Sequence, residues 1–254
     1  MSAYLEIAGV SHNFGGLQAL NECGFAIGQG GIACLVGPNG AGKTTIFNVI
    51  TGFLRPDTGQ VRFRGRTLNG LAPQAIVHAG IARSFQNLRL FAELTACDNV
   101  MLALPDRAGE TPFGALLRPF AAARADRARR AAARAFLAHV GLEAQADQRV
   151  RALSYGEQKL LTIARLLATG AELLLLDEPA SGLASGALDQ VMALLRRLRD
   201  EGKTLLVVEH NTRVVQQIAD EVLFLHQGHL LAQGSPAQII ADPALAEIYF
   251  GGAL

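Results

Sequence analysis

The chain has 254 residues, half of them hydrophobic, with 23 basic and 22 acidic side chains and a formal net charge of +1. That length fits one α/β domain, or one core with a small subdomain, and the near-neutral balance argues against a dedicated nucleic-acid binder, which carries a basic excess. No stretch approaches the ~18–20 apolar residues that span a bilayer, so any membrane role is expected to run through a partner.

Taken in chain order, Tyr4–Val10, Gly24–Ile27 and Ile32–Val36 read as short strands. A Gly-rich turn follows the third, then an apolar-periodic helix over Lys43–Thr51. Val61–Phe63 and Ile81–Phe85 read as further strands. Between Pro105 and Gly141 the composition shifts towards Ala and Arg. Ala is the best helix former, and Ala121–Val140 predicts helices of a subdomain inserted into the main fold. Arg124, Arg127, Arg130 and Arg134 recur there at helical spacing, as a solvated face or a contact with lipid head groups. From Ser154 the pattern alternates: helix Tyr155–Leu167, strand Leu173–Leu176, helix Leu188–Asp200, strand Thr204–Val208, helix Thr212–Ile218, strand Val222–His226. Such alternation implies βαβ units and a mainly parallel sheet. The uninterrupted apolar strands are those of a sheet covered on both faces. Cys23, Cys34 and Cys97 show no metal spacing and no disulfide framework, and read as inert thiols. Met1–Val10 lacks the basic start and long apolar run of a secretory leader.

Gly37-Pro38-Asn39-Gly40-Ala41-Gly42-Lys43-Thr44 fits G-x-x-x-x-G-K-[ST]. Its glycines let the backbone curl and approach an anion without Cβ clashes. Successive N–H groups then point into one concave nest, and the helix that starts near Lys43 adds its positive dipole end. Lys43 is placed to reach the β- and γ-phosphates of a nucleotide, and the Thr44 hydroxyl to ligate Mg²⁺. The context is the expected one, an apolar strand before the motif and a helix after it.

Leu173-Leu174-Leu175-Leu176-Asp177-Glu178-Pro179 sets two carboxylates at the end of a buried strand. Ligands of open α/β sheets bind at the carboxyl ends of strands, so Asp177 is expected to face the same crevice as Lys43. Asp177 is assigned to the Mg²⁺ shell through water, and Glu178 to general-base activation of the attacking water.

Further motifs carry a resemblance. Leu153-Ser154-Tyr155-Gly156-Glu157-Gln158, just before the strand bearing Asp177, resembles the signature motif of ATP-binding-cassette (ABC) ATPases. Ser154-x-x-Glu157 is also a capping box that starts a helix. Gln86 in Ser84-Phe85-Gln86-Asn87 looks like that family's Q-loop, and His210 in Val208-Glu209-His210-Asn211 like its switch histidine. Phe14 resembles its adenine-stacking aromatic. The wording of Leu54–Gly59, Ile81–Phe91, Leu153–Lys159 and the tail from Gly234 is similar to cassettes of branched-chain amino acid uptake systems. Cassettes for urea or amide uptake and for lipopolysaccharide export share much of it and stay open as alternatives. A soluble ABC ATPase of translation or DNA repair would bring two cassettes or a long coiled-coil insertion, and neither is seen. One departure stands in the loop after Glu178-Pro179, where the family usually has Asp or Asn and this chain has Ala184 followed by Ser185.

The resemblance implies a P-loop NTPase fold: a mainly parallel core sheet, an N-terminal antiparallel β subdomain and an inserted helical subdomain. It divides the chain into a nucleotide-binding part at 1–86, a helical part with the signature at 87–165, a core part at 166–235 and C-terminal helices at 236–254. It implies ATP hydrolysis with ATP and Mg²⁺, with Glu178, His210 and Lys43 as catalytic groups. The nucleotide would be held by Phe14, Gly37, Pro38, Asn39, Gly40, Ala41, Gly42, Lys43, Thr44, Thr45, Gln86, Ser154, Tyr155, Gly156 and Glu157, and the metal by Thr44, Gln86 and Asp177. It also implies a homo- or heterodimer of cassettes, peripheral on the cytoplasmic face of the inner membrane. There it would drive integral permease subunits, with a solute-binding protein as indirect partner and no nucleic acid. Leu88, Leu90, Phe91 and Leu94 would either line a groove for permease helices or pack in the core.

Overall fold

The structure, a computed structural model, describes residues 3–105 and 119–250. Two long strands open it, β1 (Leu5–Phe14) and β2 (Leu17–Ile27), followed by the short β3 (Ile32–Val36) and the helix Lys43–Ile50. In β1 the side chains of Leu5 and Ile7 are buried while Glu6 and Ala8 are partly exposed, the period-2 pattern of a sheet with one face on a core; after a register shift Val10 is buried as well. β1 pairs antiparallel with β2 on one side and with β4 (Thr58–Phe63) on the other. The two-residue β5 (Arg66–Thr67) completes a four-stranded sheet of order β2-β1-β4-β5.

The second sheet is built differently. β3, β7 (Leu173–Asp177) and β8 (Thr204–Val208) are buried at every position, as strands covered on both faces must be. With β6 (Ile81–Arg83), β9 (Glu221–His226) and β10 (His229–Gly234) they form a six-stranded sheet of order β10-β9-β3-β8-β7-β6. All neighbours are parallel except the terminal pair β9 and β10. The parallel core sheet and the antiparallel N-terminal sheet are those expected. Apolar side chains of both sheets and of the helix Lys43–Ile50, Phe47 and Ile50 among them, meet in one core.

The chain resolves into two compact units, the first Met1–Arg83 with Glu172–Gly182 and Met192–Leu254, the second Ser84–Ala171 with Leu183–Val191. Both sheets belong to the first. The strand expected over Ile81–Phe85 stops at Arg83. The Arg83 side chain is 4% exposed and bound to Asp177, and Gln86 and Asn87 beyond it are exposed. The helix expected from Leu188 starts three residues earlier, at Ser185. The helices Pro73–Ala79 and Ala96–Met101 and the strands β5 and β10 were not anticipated. The first of these helices starts on a proline and the second is capped by the Thr95 hydroxyl. All three cysteines are free and buried, and burial pushes their thiols up, that of Cys23 to about 12.

The second unit is helical. Pro119–His139 packs with Ala96–Met101 and Tyr155–Ala168, and Val100, Ala133, Leu137, Leu161 and Ala164 of these helices are buried. Arg124, Arg127, Arg130 and Arg134 are exposed. Arg130 pairs with Asp126 and Asp98, and Arg134 with Asp147 at 2.6 Å, so these two have acidic partners within the helical unit. Residues 106–118, most of the segment Pro105–Arg118, lie outside the described residues, as do 251–254 of the tail.

Gly156, in the first turn of Tyr155–Ala168, has a packing reason to be glycine. A Cβ there would lie 2.9 Å from the Cβ of Ala187, closer than two carbons can approach without a shift. Gly156→Ala is expected to destabilise the fold by about 1–3 kcal/mol through overpacking. Adding Ala187→Gly should return most of that loss, read as the denaturation midpoints of the single and double variants.

Candidate functional site

The phosphate loop runs from the end of β3 into the helix Lys43–Ile50. Gly37 has φ +146, and a Cβ there would sit 2.0 Å from the Leu225 carbonyl oxygen. Gly42 has φ +102, with the Ala19 carbonyl 2.6 Å from where its Cβ would be. Only glycine satisfies both positions. The loop is tied down by the Ala41 N–H donating to the Pro38 carbonyl at 3.2 Å and the Gly228 N–H to the Ala41 carbonyl at 3.0 Å. Gly42 caps the helix and supplies no side-chain hydrogen bond, so an anion rather than a side chain suits the first-turn amides. Lys43 is buried, and its ammonium donates to the carbonyls of Gly37 at 2.8 Å and Pro38 at 2.9 Å. Burial lowers its pKa, while the charges of Glu178 and Asp177 act the other way. Thr44 is exposed and Thr45 half-buried, as is Pro38, with Asn39 and Gly40 exposed at the tip.

β8 lies between β3 and β7, so the ends of all three strands stand side by side. Asp177 closes β7 opposite Val208. Its carboxylate is 9% exposed and accepts from the Arg83 guanidinium at 3.2 Å. Arg83 also donates to Asn48 Oδ1 at 2.5 Å and lies over the Phe47 ring at 5.2 Å. One buried cation thus joins the phosphate-loop helix to the carboxylate assigned to the metal. Glu178 follows with φ +49, a left-handed conformation uncommon for a non-glycine residue. Its Oε1 is 2.9 Å from His210 Nε2, with side-chain exposures of 18% and 39%. Glu209, 2% exposed, accepts the Ala180 N–H at 2.9 Å and so fixes the loop beyond Glu178.

The structure therefore brings Lys43, Asp177, Glu178 and His210 to one edge of one sheet. Arg83, Asn48 and Glu209 were missed as supporting groups. No local signal marked Arg83, because its partners Asn48 and Asp177 lie 35 and 94 residues away in sequence. Phe14, at the end of β1, is 46% exposed, which sets aside a core role for it.

The signature residues belong to the second unit. Ser154 caps Tyr155–Ala168 in a full capping box: its Oγ accepts the Glu157 N–H at 3.3 Å, while Glu157 Oε2 accepts from the Ser154 N–H at 2.7 Å and hydroxyl at 2.8 Å. Glu157 Oε1 accepts from Gln145 at 3.0 Å. Tyr155 is 46% exposed, with the Lys159 ammonium 5.5 Å from its ring centre. Gln86 is exposed. Of the four candidate groove residues, Phe91 and Leu94 are exposed and Leu88 and Leu90 half-buried, so they do not form a core. Ala184 is exposed, and its carbonyl accepts the Leu188 N–H at 2.9 Å at the start of the helix Ser185–Asp200.

Comparison with known proteins shows the family and the fold. The family model described as ABC transporter matches residues 20–181. The chain is 38% identical over 250 residues, 98% of either sequence, to the high-affinity branched-chain amino acid transport ATP-binding protein BraF of Pseudomonas aeruginosa. Among solved structures, the ADP conformation of MJ1267, an ATP-binding cassette of an ABC transporter, superposes with TM-score 0.84 at 28% identity, covering 99% of this chain and 100% of that one. A dimeric post-hydrolysis state of the cassette MJ0796 bound to ADP and Pi gives TM-score 0.76 at 27% identity over 91% of this chain and 98% of the other. With the phosphate loop, the paired carboxylates and the capped signature helix in family order, the chain belongs to the ATP-binding cassettes of the ABC transporter family.

Proposed function

We propose that this chain is the ATP-binding and ATP-hydrolysing subunit of an ABC importer for branched-chain or related amino acids, acting on a separate permease from the cytoplasmic face of the membrane. The observation that carries hydrolysis is the Glu178 carboxylate, held 2.9 Å from His210 at the sheet edge where Lys43 closes the phosphate loop. Uptake of branched-chain amino acids is supported by the role of BraF, similar over nearly the full chain; nothing comparable favours urea uptake or lipopolysaccharide export.

In this reading the triphosphate lies in the nest of Gly37–Thr45, with its adenine on Phe14. Lys43 neutralises phosphate charge without a large swing, since its ammonium already points into the loop. Thr44, Asp177 and Gln86 offer hydroxyl, carboxylate and amide oxygens, hard donors that suit Mg²⁺ arriving on phosphates. Mg²⁺, when bound there, would neutralise charge on the phosphate chain. Arg83 holds Asp177 in place for that task. Glu178 accepts the proton of the attacking water, and His210 orients Glu178 and contacts the γ-phosphate.

The functional unit is a pair of cassettes, homo- or heteromeric, and the dimeric MJ0796 structure with ADP and Pi supports that arrangement. Ser154, Tyr155, Gly156 and Glu157 of one subunit complete the nucleotide site of the other. Gln86 relays the state of that site to Leu88, Leu90, Phe91 and Leu94, which take permease helices. The functional division of the chain follows the stretches 1–86, 87–165, 166–235 and 236–254.

Glu178→Gln is expected to keep ATP affinity and lower kcat by about 10²–10⁴-fold, accumulating a nucleotide-bound dimer visible by size-exclusion chromatography; wild-type turnover in that variant rules out Glu178 as the base. Lys43→Ala should weaken ATP binding at least about tenfold, measured by calorimetry, and unchanged affinity would remove the phosphate role. Leu88→Ser with Phe91→Ser should leave basal ATPase intact and abolish stimulation by the permease, assayed as leucine uptake into proteoliposomes.

A further inference from the structure

His12 raises a question that the phosphate site does not answer. It is 9% exposed, and both its ring nitrogens are buried without a hydrogen-bond partner. The nearest acid is Asp57, whose Oδ1 lies 3.6 Å from His12 Nδ1. A polar ring buried in that way costs stability, and an apolar residue of similar size would avoid the cost. The imidazole therefore calls for a reason beyond packing.

The reason is its neighbour. His12 and Phe14 are two residues apart on β1, in a stretch where its pairing with β2 shifts register. Their ring centres are 4.6 Å apart at an interplanar angle of 87°, an edge-to-face contact. Phe14 stands at the strand end before the turn Gly15-Gly16, 46% exposed. An unsupported phenyl ring there would sample several rotamers. Asp57 holds the same strand end, since its Oδ2 accepts from the Asn13 N–H at 2.8 Å and the Asn13 amide at 3.3 Å, and its own N–H donates to the Ser11 carbonyl at 2.9 Å.

We infer that His12 is a positioning residue for the base of the nucleotide: backed by Asp57, its ring braces Phe14 edge-on and keeps one face of the phenyl ring presented to a purine. This rests on Phe14 being the adenine platform, as proposed above. Bracing lowers the ordering cost of binding, so it acts on ligands that carry a base and not on the phosphate chain alone.

The test compares ATP with inorganic tripolyphosphate, which lacks a base, by calorimetry on the full chain. His12→Leu keeps the volume and loses the aromatic edge. It should weaken ATP about threefold to tenfold, the range of an aromatic pair, and leave tripolyphosphate within about twofold. His12→Phe restores a ring and should bind ATP like wild type. Equal weakening of both ligands, or no weakening of ATP, overturns the inference. Phe14→Ala separates the two levels: if it leaves ATP affinity unchanged the adenine platform itself fails, whereas if it weakens ATP while His12→Leu does not, only the brace fails. Should His12→Leu not fold, the wild-type chain still decides. The ring resonances of His12, followed by NMR, should move on adding ATP and stay still with tripolyphosphate; no movement with ATP overturns the inference.

Discussion

Three parallel strands buried on both faces, β3, β8 and β7, constrain everything else in the first unit. Nothing polar can be accommodated along their length without a partner, so charge emerges where they end. β3 ends in the phosphate loop, β7 in Asp177 and Glu178, β8 in Glu209 and His210. The register Leu35↔Val208 and Asp177↔Val208 sets these ends level. A slip of one residue in β7 would turn every side chain to the opposite face and remove Asp177 from Arg83. The hydrophobic ladder thus determines where Lys43, Asp177, Glu178 and His210 come together.

Within that frame the charged groups are held more firmly than exposed ones would be. Lys43, Arg83 and Asp177 are all nearly buried and each has a defined partner. Glu178 is kept in a left-handed conformation that costs on the order of 1–3 kcal/mol. Compensating bonds lie on both sides of it: its own N–H donates to the Val208 carbonyl at 3.0 Å, and the Ala180 N–H donates to buried Glu209. Strain at the base is sustained by the strand before it and the carboxylate beside it, which is the arrangement a pre-organised site requires.

Much of this was legible in the sequence, for physical reasons. β3, β7 and β8 are uninterrupted apolar runs, and each is followed at once by glycine or an acid. The phosphate loop states its own geometry, since Gly37 and Gly42 occupy positions no Cβ can enter. The capping box at Ser154 declared the start of its helix. What escaped was whatever depends on pairing across the sheet. β10 has the ordinary mixed pattern of an edge strand and is strand only because β9 lies beside it. The turn of β1 into β2 carries Gly15-Gly16 but no alternation strong enough to extend the strands to Phe14 and Leu17. Arg83 read as the middle of a strand, because nothing local says that its guanidinium is spoken for by Asp177 and Asn48. Gly156 read only as a nucleotide contact; a Cβ there would meet the Ala187 methyl, and a local reading has no means of seeing that clash.

The capping box at Ser154 has an electrostatic corollary. With the hydroxyl and the amide of that residue both engaged by the Glu157 carboxylate, the positive pole of the helix is already answered by a negative charge of its own. A stray inorganic anion arriving there gains little, because it would first have to dislodge an intramolecular acid. The exposed helix start is in this way shielded from the salt around it by an acid of its own.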